Sequence, residues 1–362
     1  MPQPDLPGVM SGAEVERTAA HIAEWQLPTG MIPWFPGGHA DAWNHVEAAM
    51  ALDVADMGSE SVAAYQWLAD MQRPDGAWHQ YYLDGSVEQD KLDANCVAYV
   101  ATGVWHHYLI TKDAGFLESM WRVVEAAIEF VLDLQTPRGE ILWARHADNT
   151  PWSFALLTGS SSMTHSIRCA VAIAEELGHE RPGWELGAAR LAHVIRTQPE
   201  AFAPKDRWAM DWYYPVLTGV LTGKAAKERL AGRFEEFVME GHGVRCVSDR
   251  PWVTTAETCE CALAHLVAGE EAQAIELFSS VAALRHHDGS YFTGLVVPDG
   301  VSFPDVERST YSAAAVVLTA DALANGSAAS TLFLDHSSLP ALIDIEATHD
   351  PSKSTQDEHS FD

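Results

Sequence analysis

Two carboxyl groups held apart with room for a water between them can act as general acid and general base. The residues able to supply them here are few. Acidic side chains next to aromatic or small residues, at points where a helix begins, are Asp41, Glu47, Asp93, Asp211, Glu257, Glu260 and Glu307. An inverting glycosidase uses one protonated carboxyl as general acid and a second as base for water, roughly 6.5–9.5 Å apart. Asp41 follows a Pro/Gly/Trp-rich loop and is flanked by His39, Trp43 and His45. Its plain structural reading is a helix N-cap. Glu257 lies in WVTTAETCECALA, a stretch without positive charge, where burial would raise a carboxyl pKa. Its plain reading is the third residue of a capping box begun by Thr254. We take Asp41 and Glu257 as the catalytic pair, with Glu260 the fallback one turn on and the roles of acid and base left open.

Sugars are gripped by aromatic faces with polar neighbours for the hydroxyls. Trp34, Trp43, Trp78, Trp152, Trp212, Tyr213 and Trp252 all fall in loops or first turns, and are the candidates for stacking. His39, His45, Asp93, Asn95, Asp211, Glu260 and Arg308 are the candidates for hydroxyl binding. For each the competing role is ordinary: a tryptophan under a helix hairpin packs, and an aspartate at a helix start caps. No metal is expected. The neighbouring pairs His106–His107 and His286–His287 point in different directions, and Cys259-Glu-Cys261 has no zinc-site spacing. No cofactor is implied.

These residues must be brought together by helices. Near 41, 92, 153, 211, 254 and 308 a segment begins with polar or aromatic residues and continues with Ala, Gly, Ser, Thr and Val. Such segments suit inner helices crowded on every side, with only the first turn facing a cavity. Amphipathic segments of ordinary type alternate with them: 13–26, 59–72, 114–135, 184–197, 224–239 and 270–285. A repeat of about 45–60 residues, one helix hairpin with its loop, predicts an all-α (α/α)6 barrel over residues 1–325. No six-residue stretch shows convincing strand alternation.

Composition agrees. The 362 residues carry a formal charge of −29, which disfavours nucleic acid and anionic membrane surfaces as partners. No apolar run reaches the roughly 18 residues of a membrane span. The N-terminus lacks the basic and apolar regions of a secretory signal, and five cysteines form no disulfide framework, so a cytoplasmic protein with reduced thiols is expected. Oligomeric state is left open. Residues 326–362 form an acidic tail, of which 331–345 are expected to dock loosely, if at all, and 346–362 to be disordered.

Gln72-Arg-Pro-Asp-Gly-Ala-Trp78 resembles the QxxxGxW repeat of squalene and terpene cyclases, with weaker echoes at Gln135–Trp143 and His287–Tyr291. The aspartate-rich acid motif and the diphosphate site of those enzymes are not present. The stretches WFPGGHADAWNHVEAAM, QRPDGAWHQYY, LWARHADNTPWSFALLTGSSS, RWAMDWYYPVL, GVRCVSDRPWVTTAETCECALA and ERSTYSAAAVVL resemble an actinobacterial toroid family often labelled prenyltransferase. One branch of it is the mycobacterial methylmannose-polysaccharide hydrolases, intracellular endo-acting α-mannosidases. That resemblance implies a glycoside hydrolase with an α-mannoside oligosaccharide or polysaccharide as its substrate. A terpene cyclase or prenyltransferase-like enzyme and a non-catalytic glycan-binding toroid are the competing readings.

Overall fold

A computed structural model describes residues 3–345. The expected disorder of 346–362 concerns residues outside this range. Among the described residues, twelve α-helices alternate between two rings. The outer ring holds α1 (Gly12–Trp25), α3 (Gly58–Met71), α5 (Ala114–Leu132), α7 (Pro182–Thr197), α9 (Gly223–Phe237) and α11 (Glu271–Ser280). The inner ring holds α2 (Ala42–Val54), α4 (Ala94–Thr111), α6 (Leu157–Glu176), α8 (Ala209–Leu217), α10 (Thr255–Val267) and α12 (Thr310–Ala324). Each inner helix packs on the next, and α12 packs back on α2, so the ring closes. This is the (α/α)6 barrel.

Crowding explains the residue choice of the inner ring. Every residue of α6 from Gly159 to Ala174 is buried, so no solvent face exists to carry charge. At Gly103 of α4 a methyl group would lie 2.4 Å from Val46 and 2.9 Å from the Tyr65 hydroxyl. Helices approach this closely only where side chains are small.

A repeated device locks the first four outer helices to one another in turn. Gln26, Gln72 and Gln135 each follow an outer helix and donate to a glycine carbonyl four residues on, at Gly30, Gly76 and Gly139. The same amide donates to the following outer helix, at Glu60, Val123 and Gly187 respectively. Gly76 has φ +88°, and a Cβ there would meet the Ala126 carbonyl at 2.1 Å, so both its conformation and its surroundings require glycine.

Among the described residues, four small antiparallel sheets depart from the all-helical expectation, three of two strands and one of three. Trp252–Thr254, Phe292–Val296 and Val301–Arg308 form a three-stranded antiparallel sheet at the mouth, with Phe292–Val296 in the centre. Val301–Arg308 is exposed or half-buried throughout and contains Pro304, so no single buried face imposes an alternating pattern.

Residues 331–340 pack at the other end of the ring. Leu332 and Leu339 are buried, and Arg168 of α6 donates to the carbonyls of Leu339 and Pro340. His165 meets the Leu332 carbonyl at 3.2 Å, and His336 the Leu217 carbonyl at 3.1 Å. Among the described residues, no helix is long and apolar enough to cross a membrane.

Candidate active site

The first turns of all six inner helices open into one cleft with two lobes. The first lobe, about 420 Å³, is lined by Asp41, Gln80, Tyr81, Lys91, Asp93, Asn95, Trp143, Thr158 and Asp211, among others. The second, about 450 Å³, is lined by Glu47, Trp252, Thr254, Glu257, Glu260, Thr293, Phe303, Glu307 and Tyr311, among others. Trp34, Trp43, Asn44, Trp208 and Met210 belong to both, so the lobes join along these side chains.

Asp41 lines the first lobe and is also an N-cap. Its Oδ1 accepts from the Asn44 amide at 2.9 Å. Its Oδ2 accepts from Trp34 Nε1 at 2.7 Å and from Asn44 Nδ2 at 2.6 Å. Asp41 therefore caps α2 and lines the cleft at once. Burial raises its pKa, and the Asn44 and Trp34 donors offset part of that rise.

Glu257 lines the second lobe. The capping box that would explain it structurally does not form, because the Thr254 side chain makes no cap hydrogen bond. Burial raises the pKa of Glu257, partly offset by the nearby Thr254 hydroxyl.

Glu47 and Glu260 lie deeper. Trp43 Nε1 donates to Glu47 Oε1 at 2.8 Å. Glu260 accepts from the hydroxyls of Tyr213 and, at 2.7 Å, Tyr214. Burial lifts Glu260 to about 7, with the tyrosine donors opposing and Glu257 adding to the rise. Glu47 is pushed well above the usual range by burial and then by the charge of Glu260. Two close buried carboxyls of this kind do not both ionise at neutral pH.

The other sequence candidates separate into two groups. Trp34, Trp43, Asp93, Asn95, Asp211, Trp252 and Glu260 line the cleft. Asp93 caps α4 and sits 3.6 Å from Lys91, while Asp211 accepts from the Thr158 hydroxyl at 2.6 Å. The remaining residues do not line either lobe. His45 is fixed between the Ile32 amide and the Ala64 carbonyl. Trp78 and Trp212 are buried and donate to the Leu68 and Arg229 carbonyls. His39 stacks on Tyr81 at 4.1 Å and pairs with Glu88. Trp152 packs edge-on against Trp143 at 4.7 Å. Tyr213 reaches the cleft only through Glu260. Arg308 binds Asp288, His286 and Ser290 instead.

Sequence reasoning passed over Trp208, Trp143, Lys91, Tyr311 and Phe303. Trp208 is 44% exposed and lines both lobes, and Lys91 Nζ lies 4.0 Å over the Trp143 ring. For Trp208, Trp143, Tyr311 and Phe303 the signal was the type already sought, aromatic residues near the starts of inner helices; Lys91 carried none. The register of the mouth loops on the ring was not readable.

A closed double ring of helices, with a cleft at the N-terminal ends of the inner helices, defines the class of (α/α)6 barrel proteins. Solved structures of that class overlay on the chain. A glycosidase in complex with glucose matches with a TM-score of 0.67 at 13% identity, covering 86% of this chain and 97% of that one. The GH63 mannosylglycerate hydrolase from Thermus thermophilus in complex with glucose matches at 0.66 and 13%, covering 84% and 99%. These likenesses establish the fold. No profile of a described protein family matches the chain. The MMP endo-(1,4)-3-O-methyl-alpha-D-mannosidase of Mycolicibacterium hassiacum is 51% identical over 330 residues, 91% of each chain. The chain belongs to the family of this mannosidase and is a glycoside hydrolase.

Proposed function

We propose that the protein is an inverting endo-α-mannosidase that cuts a methylated mannose polysaccharide inside the cytoplasm, with Asp41 and Glu257 as the catalytic pair. The observation that carries the reading is the cleft itself. Its two lobes meet at Trp34 and Trp43, with Asp41 in one lobe and Glu257 in the other. A sugar chain running through both lobes places one linkage between the two carboxyls. The relative's named action on a 3-O-methyl mannoside supplies the sugar.

In this mechanism the protonated carboxyl gives its proton to the glycosidic oxygen as the C–O bond breaks. The ionised carboxyl takes a proton from a water whose oxygen bonds to the anomeric carbon from the opposite face. Burial favours the proton on either group, and the donors Asn44 and Trp34 on Asp41 outnumber the one Thr254 hydroxyl near Glu257, which supports Glu257 as the protonated partner. Trp34 and Asn44 hold the Asp41 carboxyl in one orientation. Trp34, Trp43, Trp208 and Trp252 offer faces for pyranose rings. The five free, buried cysteines support a reducing compartment.

The test is proton NMR of freshly cleaved 3-O-methylmannose oligosaccharide. The β-anomer as first product supports the inverting reading, and the α-anomer as first product refutes it.

A further inference from the structure

Beneath the cleft lies a second, smaller space. It measures about 40 Å³ and is walled by Glu47, Tyr99, His165, Tyr214, Glu260 and the C-terminal segment's Phe333. A volume of this size holds on the order of one to three waters. Glu47 and Glu260 belong to this chamber and to the cleft above it. The carboxyl pair is therefore the partition between the two spaces, and Phe333 is the floor of the lower one.

We propose that Phe333 is a positioning residue for the hydrolytic reaction: it closes the axial chamber from below and keeps bulk water from the Glu47–Glu260 pair. Three features support a built floor. His165 stacks on the Phe333 ring at 5.1 Å and 21°. The same histidine meets the neighbouring Leu332 carbonyl. Arg168, one turn further along α6, ties down the carbonyls of Leu339 and Pro340. The segment is thus held on both sides of its aromatic wedge.

The consequence is electrostatic. A carboxyl pair reached by solvent from one side only holds a proton to higher pH than a hydrated pair, even though Trp43, Tyr213 and Tyr214 donate to it. The titratable groups around the pair are Asp41 at the start of α2, Tyr99 on α4, His165 on α6, Tyr213 and Tyr214 on α8, and Glu257, Cys259 and Cys261 on α10. From α12 comes Thr319, and from the tail Phe333, neither of which titrates. Glu257 lies one turn from Glu260 and the two charges interact, so the state of the pair bears on the ionisation of a residue at the reaction centre.

The experiment titrates the buried carboxyl by infrared difference spectroscopy, with the band assigned by Glu47→Gln and Glu260→Gln. It is paired with the pH profile of kcat/KM. Phe333→Ala is expected to lower the infrared midpoint by about one pH unit or more and to move the corresponding limb of the profile with it. Phe333→Leu, which keeps an apolar wedge, should leave both near wild type. Leu339→Ala, which loosens the segment away from the chamber, should lower Tm without moving the midpoint. If Phe333→Ala does not fold, Phe333→Val gives the same comparison. An unmoved midpoint in a folded Phe333→Ala or Phe333→Val protein overturns the inference, as does an equal shift in Leu339→Ala. The inference rests on the hydrolase reading only through the activity profile. The infrared midpoint needs no turnover, so failure of one is separable from failure of the other.

Discussion

Glu257 and Glu260 stand three residues apart on α10, so one helix face carries both a carboxyl open to the cleft and one held by Tyr214 at 2.7 Å. The first sits where chemistry can occur. The second sits where a proton can be stored. This division of labour along a single helix, mirrored by Asp41 and Glu47 on the α2 side, underlies the predictions that follow.

Removing the orienting bond to Asp41 should separate geometry from stacking. Trp34→Phe keeps an aromatic face but loses the Nε1 donor to Oδ2. We expect kcat to fall about tenfold, the worth of one charge-assisted hydrogen bond, with KM changed less than about threefold. Steady-state kinetics on 3-O-methylmannose oligosaccharides decide it. A rise in KM alone would make Trp34 a stacking residue only.

Trp252 stacks on Phe303 at 4.3 Å and presents the outer wall of the second lobe. Trp252→Ala should weaken substrate binding by about 1.4 kcal/mol, a tenfold rise in Kd, while kcat at saturation stays within about threefold of wild type. Calorimetric titration with an inactive Glu257→Gln background reads the binding change directly.

The stability of the protein should carry the mark of Glu260. Its folded pKa of about 7 lies above the value near 4.5 of an unfolded glutamate. Between these values the folded state keeps a proton that the unfolded state has lost, so this group's contribution to stability is present at low pH and is lost as pH rises through that window. Glu260→Gln removes the dependence. Its Tm minus that of wild type should therefore become more positive from about pH 5 to about pH 8. A difference that is flat or falls with pH would show that Glu260 is ionised in the folded protein at both ends.

Gly76→Ala tests the outer-ring lock. The added methyl would meet the Ala126 carbonyl at 2.1 Å in a left-handed backbone, and the loop must shift. A destabilisation of about 2–4 kcal/mol is expected from the conformational and steric terms together. Gln72→Ala, which strands the carbonyls of Gly76 and Val123, should cost about 1–3 kcal/mol. Urea unfolding measures both.

The alternation of inner and outer helices was legible because burial on every side selects small residues, and the polar first turns marked the end at which the cleft lies. The lock was half legible. Gln72 and Gln135 could be seen by their glycine and aromatic neighbours, but Gln26-Leu-Pro-Thr-Gly30 carries no tryptophan and escaped notice. The mouth sheet was illegible because Val301–Arg308 has no buried face to impose a period of two. By composition residues 331–340 were expected to dock loosely, if at all, and only the ring's other end supplies the partners Arg168 and His165 that hold them. The chamber shared by Glu47, Glu260 and Phe333 depends on ring closure, which no local spacing encodes.

The most direct test replaces each proposed catalytic carboxyl by its amide. Asn is as good an N-cap as Asp, so Asp41→Asn keeps the start of α2, and Glu257→Gln disturbs no capping box. Product formation from 3-O-methylmannose oligosaccharide is followed by mass, alongside calorimetric binding and Tm. The account predicts that each variant loses turnover by about 10²–10⁴-fold while binding and melting stay near wild type. A variant at either position that still cleaves at close to the wild-type rate would contradict it.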